Sequence, residues 1–441
     1  MNSNIQPRVP STQGPLEKKS VFNIHLLLYF ILSLISWRLT IIATGAASQW
    51  IGASRFGDFS VSLRLAHNLA HLFVMGQEAT ILMYLAKYKN QPEKQTGLVR
   101  WIISSTLLKT LVVFALIICC HQLYLHTFLP TVLVNPHIWI AWTAIPFIVI
   151  CGIYERFFLY LKQFFVSSLA RGIYQPLIFI ALLYPISQIW PPSAAIALLA
   201  YTIAFALSSL IYCAHGYFGP FKLSPAYDQS DKKEWQLSGL FYTFSTLIIK
   251  STPSIALFFL ERHGSSEAVV GHFSALWSIL YGFHLLTKPF DSYLKPLIAN
   301  YYSTNKIAQL QHELNTINKA RWLIILGVLC GLAYTGKATL IGYGDSFASA
   351  YEPLMLLSLL TAIQYLGYPA HEMLNYTGNQ QALSFIMACQ FFSIATIAVL
   401  LIPTYGIWGA VLAQGIPCIA ASIASSIVLR KRTRINAYFF F

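Results

Sequence analysis

Apolar residues fill this chain in long uninterrupted runs, not in the alternating or three-to-four-residue stripes of soluble elements. Runs of membrane-spanning length follow one another from Val21 to Leu429, separated by short clusters of Lys, Arg, Asn, Pro and Gly. They predict twelve spanning helices, over about 22–45, 57–86, 101–125, 138–160, 164–188, 193–215, 237–260, 268–290, 321–340, 350–374, 381–402 and 406–429. The chain divides into an N-terminal tail (1–20), a first six-helix bundle (21–215), an inter-bundle loop (216–236), a second bundle (237–429) and a basic tail (430–441).

Composition strengthens this picture. Of 441 residues, 56% are hydrophobic and 10% charged, against about 25% charged in soluble chains. The net charge of +14 would suggest nucleic acid in a soluble protein. Here 21 of the 29 Lys and Arg fall on the side of the N-terminal tail. Only Arg55, Arg262 and Lys337 fall opposite, and Arg38, Arg64, Lys109, Arg171 and Lys250 lie within spans. This is the positive-inside pattern of a multi-pass protein with both termini in the cytoplasm, and no nucleic-acid partner is expected. The polar first twenty residues and the length of the run after Val21 argue against a cleaved signal. The seven cysteines sit in apolar runs without metal-ligand spacing and read as small core residues.

The two halves echo each other. Gly57-Asp58-Phe59-Ser60 opens the second span, and Gly271-His272-Phe273-Ser274 opens the eighth. Pro185-Ile186-Ser187-Gln188-Ile189-Trp190 joins spans five and six, and Pro403-Thr404-Tyr405-Gly406-Ile407-Trp408 joins eleven and twelve. The offsets are nearly equal. Two six-helix units of one orientation then follow, related by a pseudo-two-fold axis along the membrane normal. The fold class is an all-α polytopic membrane protein.

Charges inside spans are the candidate chemistry. Arg64, His67, His71 and Glu78 fall within roughly 60° of one another on a helix. Tyr281, His284, Lys288 and Asp291 form a comparable stripe in the eighth span, unless Lys288 and Asp291 simply reach the membrane surface. Arg38, Arg64 and Lys250 are the candidates for a cationic cavity, since Arg holds phosphate through two hydrogen bonds and Lys as a point charge. For Arg38 and Lys250, pairing within the helix or snorkelling is an equal alternative. Lys109 and Arg171 read as anchors near the helix ends. His67, His71, Glu78, His284, His371 and Glu372 are candidates for proton coupling or for polar cavity walls. No cofactor or metal motif is present, and the sequence leaves open whether H+ or Na+ would be a coupling ion.

The chain resembles the multidrug/oligosaccharidyl-lipid/polysaccharide (MOP) exporters, and within them the polysaccharide or O-antigen flippases (Wzx-type). The stretch Gly52 to Ser60 matches a G-x-x-x-[FY]-G-x-[FY]-S word, Pro403 to Ala413 a P-x-Y-G-I-x-G-A-x-x-A word, and Tyr376-Thr377-Gly378-Asn379-Gln380 a short turn. The resemblance implies two six-helix bundles in a V that opens alternately to either face (MATE/MOP-like). It implies a transporter, not an enzyme, in the bacterial inner membrane. The implied substrate is a polyprenyl-diphosphate-linked oligosaccharide, and the implied surroundings are membrane lipids, with polysaccharide polymerase or glycosyltransferases as neighbours of a monomer. An ion-coupled drug or metabolite antiporter of the same fold is the alternative. Against it, no Asp or Glu lies between Glu17 and Asp58, where the drug-exporting branch commonly keeps an acid. The lipid II flippase branch usually has two further helices, which the residues after Arg434 do not provide. A glycan polymerase or ligase fits poorly with the short outer loops and the absence of P-loop, G-x-S-x-G and metal motifs.

Overall fold

The computed structural model describes residues 19–74, 81, 84–85, 87–88, 90–122, 136–161, 163–218, 226–263 and 266–437, and the regular elements among them are all helices, without a strand. The first two expected spans form one element, α1 (Lys19–Val74), broken at Gly52 with φ 80° and ψ 164°. That backbone conformation is open essentially to glycine alone. A straight helix of this length would measure about 84 Å, against a hydrocarbon core of about 30 Å, so α1 must double back.

Both arms of α1 run along α9 (Glu267–Ser303). Ala53, at the bend, packs on Gly271; in the first arm Trp37 Nε1 donates to Ile279 O at 2.9 Å; in the second, Arg64 lies in electrostatic range of Tyr281. The loop expected between the spans is therefore a bend at one glycine.

The remaining elements follow the expected order. Pro92 opens α2 (Pro92–Gln122) at the position where a missing N–H costs nothing, which shortens the expected basic loop. The fourth span is α3 (Pro136–Trp142) and α4 (Ile145–Tyr160), parted just before Pro146. The fifth is α5 (Phe164–Leu169), a π-helical turn (Ala170–Tyr174) and α6 (Gln175–Ile189), followed by α7 (Ala194–Phe218). The second bundle contains α8 (Lys232–His263), α9 and α10 (Ile307–Ile341). A 3-10 turn (Asp345–Ala350) then leads to α11 (Tyr351–Tyr376), α12 (Gln380–Tyr405) and α13 (Ile407–Thr433). Among the described residues nine helices are long and apolar enough to cross a membrane. Dividing α1 at Gly52, and adding the long helices α2 and α8, accommodates the expected twelve.

Two expectations need correction. The stretch 291–320 is not a connection. α9 continues to Ser303 and α10 starts at Ile307, because Leu294, Leu297, Ile298, Leu310, Leu314 and Ile317 bury one another in a core extending past the spans. Nor are all described cysteines core residues: Cys151 and Cys418 are buried, but Cys330 and Cys389 are exposed on the outer flanks of α10 and α12. Cys119 and Cys120 lie outside the described side chains.

The repeat words meet on the axis that relates the halves. A Cβ on Gly271 would overlap Ala53 O, and one on Gly57 would approach Gly271 N to 3.2 Å. Such mutual contact is what a two-fold interface requires. Bare glycine also lets helix backbones close where lipid supplies no hydrophobic drive for association. The word's aromatics divide the work. Phe56 packs on Tyr343 and Phe347 of the second bundle, with centroids 5.9 and 6.2 Å away. Phe59 packs on Phe179 and Tyr201 of its own. Ser54 Oγ donates to Glu267, and Gln49 Nε2 to Gly342 O at 2.9 Å, sealing this end.

At the other end, where the basic residues gather, the start of α8 is fastened to the first bundle. Tyr88 and Lys94 donate to Asp231 Oδ2 at 2.7 and 2.8 Å, and Trp235 Nε1 donates to Tyr88 Oη at 3.0 Å. Lys94 first, and then Tyr88, hold the Asp231 carboxyl below its ordinary value.

Gly52→Ala should destabilise the detergent-purified protein by about 1–3 kcal/mol, through the forbidden bend alone. Gly271→Ala should cost about as much by forcing α1 and α9 apart. Both are read from thermal unfolding, and Gly327→Ala, where nothing lies within 4 Å of the added Cβ, is the matched control. The contribution of Asp231 is present at neutral pH and lost only as the pH falls below the ordinary aspartate value of 3.8. Asp231→Asn should therefore flatten the acid limb of a stability-versus-pH curve.

Candidate functional site

In-membrane polar side chains from both bundles converge between the Gly52 end and the basic end. Arg64 and His67 stand one turn apart on the second arm of α1, and His67 Nδ1 donates to Leu63 O at 2.9 Å. That bond fixes the ring, which lies edge-on to Phe205 at 6.0 Å. His71, Arg64 and Arg171 all lie in electrostatic range of His67. Tyr201 of α7 shares Arg64 and Arg171 as charged neighbours, with Tyr281 reaching in from α9. Tyr281 is 43% exposed between the bundles. Of the expected stripe, Arg64 therefore reaches Tyr281 of the other bundle, while His67 packs on Phe205 of its own.

Below it, toward the basic end, an ion-pair triad spans the two bundles. Glu155 on α4 is almost fully buried. Lys288 of α9 donates to its Oε1 at 2.8 Å, and Arg171 Nη1 approaches its Oε2 at 3.4 Å. Arg171 belongs to the π-helical turn, a distortion that concentrates at functional sites. The neighbouring Gly172 allows this turn to press against Ser36 of the first arm. Among the described residues the cluster sets three cations, Arg64, Arg171 and Lys288, against one carboxylate, Glu155. An excess of cations in a space walled by apolar helices can replace the hydration shell of an anion.

Other expected site residues lie elsewhere. Arg38, exposed on the first arm, faces a lateral groove of about 290 Å³ lined by Leu34, Trp37, Ile279, Leu286, Val328 and Leu332. Its guanidinium lies 5.2 Å from the Trp37 ring. Lys250 falls on α8, but its side chain, like Glu78, lies outside the described residues. His284 packs against Tyr281 at 5.5 Å, beside the cluster. His371 and Glu372 belong to the interior of the second bundle: Glu372 pairs with Lys295 at 3.3 Å, and His371 packs against Tyr368 at 5.4 Å. Asp291, expected to share the Lys288 stripe, turns inward to the fully buried Arg321, which also donates to Tyr365 O at 3.3 Å. Arg321, at the expected start of the ninth span, is therefore an interior residue, because α10 begins well before it.

Sequence reading missed Glu155, read Arg171 as an anchor, and left Lys288 open between the stripe of the eighth span and the membrane surface. Each stands near a span end by linear position. The signal that could have raised them is Glu155 itself, an acid following a long apolar run, which demands a cation.

With this geometry in view, three likenesses concern the fold. The lipid II flippase MurJ in its inward closed conformation superposes with a TM-score of 0.72 at 12% identity, over 92% of this chain and 87% of that one. An inward-facing multidrug resistance MATE family transporter of the MOP superfamily gives 0.69 at 14%, over 94% and 98%. A MOP superfamily transporter from Pyrococcus furiosus gives 0.68 at 15%, over 92% and 95%. The chain thus has the MOP fold. No curated protein matches it. The family model for polysaccharide biosynthesis proteins matches residues 27–301. By that match over most of its length, the chain belongs to the polysaccharide biosynthesis protein family.

Proposed function

We propose that this protein is a flippase of the bacterial inner membrane. It moves a polyprenyl-diphosphate-linked oligosaccharide, an O-antigen or other surface-polysaccharide unit, from the cytoplasmic to the periplasmic leaflet by alternating access. The observation that carries the reading is the cationic cluster of Arg64, Arg171 and Lys288 between two bundles of the MOP fold. Family membership in polysaccharide biosynthesis supports the glycan part of the reading.

The physical argument begins with the head group. A diphosphate cannot enter hydrocarbon without replacing its hydration shell, and guanidinium and ammonium groups do this best. The polyprenyl chain needs no such help and can stay in lipid. A protein that solves only the head-group problem therefore needs a cationic path between two bundles and a lateral opening for the chain. The groove beside Arg38, between α1, α9 and α10, suits that opening. The basic end corresponds to the cytoplasmic face by the positive-inside rule. His67 and His71 line the path, and their part in proton coupling belongs to the same proposal.

In cells lacking the protein, lipid-linked oligosaccharide should accumulate on the cytoplasmic leaflet, measured with the two leaflets separated. Wild type should restore export. Arg64→Ala should lower the export rate about tenfold to a hundredfold at equal membrane abundance, the worth of one charge-assisted hydrogen bond. Normal glycan display with altered drug or metabolite efflux would instead establish the antiporter reading.

A further inference from the structure

The Glu155 triad is built asymmetrically. Glu155 and Arg171 lie on one bundle, and Lys288 on the other. The carboxylate holds two cations, one on each oxygen, while Lys288 holds one carboxylate. If the bundles part at the basic end, Glu155 keeps Arg171 and remains neutralised. Lys288 moves away with α9 and loses its counter-ion. An unpaired cation in a partly dehydrated space is costly, so opening is opposed until another anion arrives.

Resting on the flippase reading, we propose that Lys288 is a binding residue for the diphosphate head group of the substrate. Glu155 holds it in reserve, and carboxylate and diphosphate compete for it. Its neighbourhood fits this role. Tyr281 and Tyr29 share its electrostatic surroundings, and Tyr281 leads on to Arg64, so a head group taken by Lys288 meets the next cation along the path. Arg156, beside Glu155, adds positive charge at the mouth. The ligand needs only to outbid one carboxylate, and a diphosphate brings more negative charge and more acceptor oxygens than Glu155 does. A ligand shifts a conformational equilibrium only by its differential affinity for the two states. Here that difference is the counter-ion supplied to Lys288 in the open state. Closure returns Glu155 to Lys288 and expels the head group from it, toward Arg64. An empty protein therefore stays shut at the basic end, and a loaded one closes there by passing the head group from Lys288 toward Arg64.

The test uses the full-length protein in detergent micelles, with farnesyl diphosphate and inorganic pyrophosphate as probes and binding followed by calorimetry. Glu155→Gln removes the competitor and should bind farnesyl diphosphate about tenfold more tightly than wild type. Lys288→Ala should bind about tenfold more weakly, and Lys288→Arg near wild type. The double variant should lose the gain of Glu155→Gln, because the two residues act through one contact. A thermal unfolding curve for each variant separates loss of binding from loss of fold, and Lys288→Arg keeps the question open to measurement if Lys288→Ala unfolds. A merely structural ion pair predicts the opposite sign: Glu155→Gln would weaken binding or leave it unchanged, and that result overturns the proposal. Pyrophosphate should rank the variants in the same order; an order confined to farnesyl diphosphate would assign the effect to the chain and also overturn it. Binding by wild type that no Lys288 or Glu155 variant alters refutes this inference and leaves the flippase reading standing. Absence of binding by wild type, with no trapped lipid-linked intermediate in cells, refutes both.

Discussion

A charge in hydrocarbon must find a counter-ion, a hydrogen-bond partner or water, and this constraint organises the interior of the protein. Each described cluster obeys it differently. Arg321 and Asp291 solve it permanently: both are buried within the second bundle, with Tyr365 O as a further acceptor and Tyr368 beneath the guanidinium. Lys295 and Glu372 are a second pair within that bundle. The triad of Glu155, Arg171 and Lys288 solves it across the boundary between bundles. A pair within a rigid body adds specificity to its packing and takes no part in bundle motion. A pair across the boundary between bundles would be broken in every cycle of the proposed alternating access, and something would have to replace it.

The two ends of the interface differ in kind. At the Gly52 end the bundles touch mainly through backbone and rings, with Ala53, Gly57 and Gly271 in close approach, Phe56 seated against Tyr343 and Phe347, and the hydrogen bonds of Ser54 and Gln49 at the rim, but no cation–carboxylate pair across it among the described residues. Contact of that kind is short-ranged and depends on shape, so it separates as a unit or not at all. At the basic end the bundles meet through charges, including Asp231 with Lys94 and Glu155 with Lys288. Charge pairs can be exchanged for other charges one at a time. An opening that admits an anion is thus easier to build at the ionic end, and a seal that ignores the cargo's charge is easier to build from glycine and aromatic rings.

Much of this was legible in the sequence because the membrane limits what the chain can do. Apolar run length sets the helices, and the words around Gly57 and Gly271 announce the repeat. These words proved to be the axial contact itself, since glycine is needed where two backbones close. The closeness of Arg64, His67 and His71 on one helix was legible from helical periodicity alone. The bend at Gly52 was not, because a glycine near small residues looks the same in a loop as in a one-residue reversal. The continuity of α9 and α10 past the membrane edge was also hidden: Leu294, Leu310 and Leu314 lie in a stretch that reads as an amphipathic connection until the partner helix is present to bury them. Arg171 was read as an anchor, and Lys288 was left open, for one physical reason. Distance along a helix says how deep a residue lies, but not whether a carboxylate from another bundle waits at that depth.

The repeat also explains where symmetry must fail. A strictly two-fold protein would place equivalent charges on both sides of the path, and like charges facing each other would repel. The stripe of the eighth span, Tyr281 to Asp291, is comparable to that of the second, yet Asp291 turns away to Arg321 inside its own bundle. That withdrawal removes an acid from the path and leaves Lys288 facing across the interface. The acid it meets, Glu155, comes from the first bundle at a position unrelated to Asp291 by the repeat. The carboxylate opposing Lys288 is therefore on the far side of the moving boundary. Had Lys288 kept a carboxylate on its own helix face, the pair would have travelled together and could not have sensed whether the bundles were open. In the proposed cycle, broken symmetry at this one position turns an ordinary ion pair into one whose integrity reports the state of the cleft.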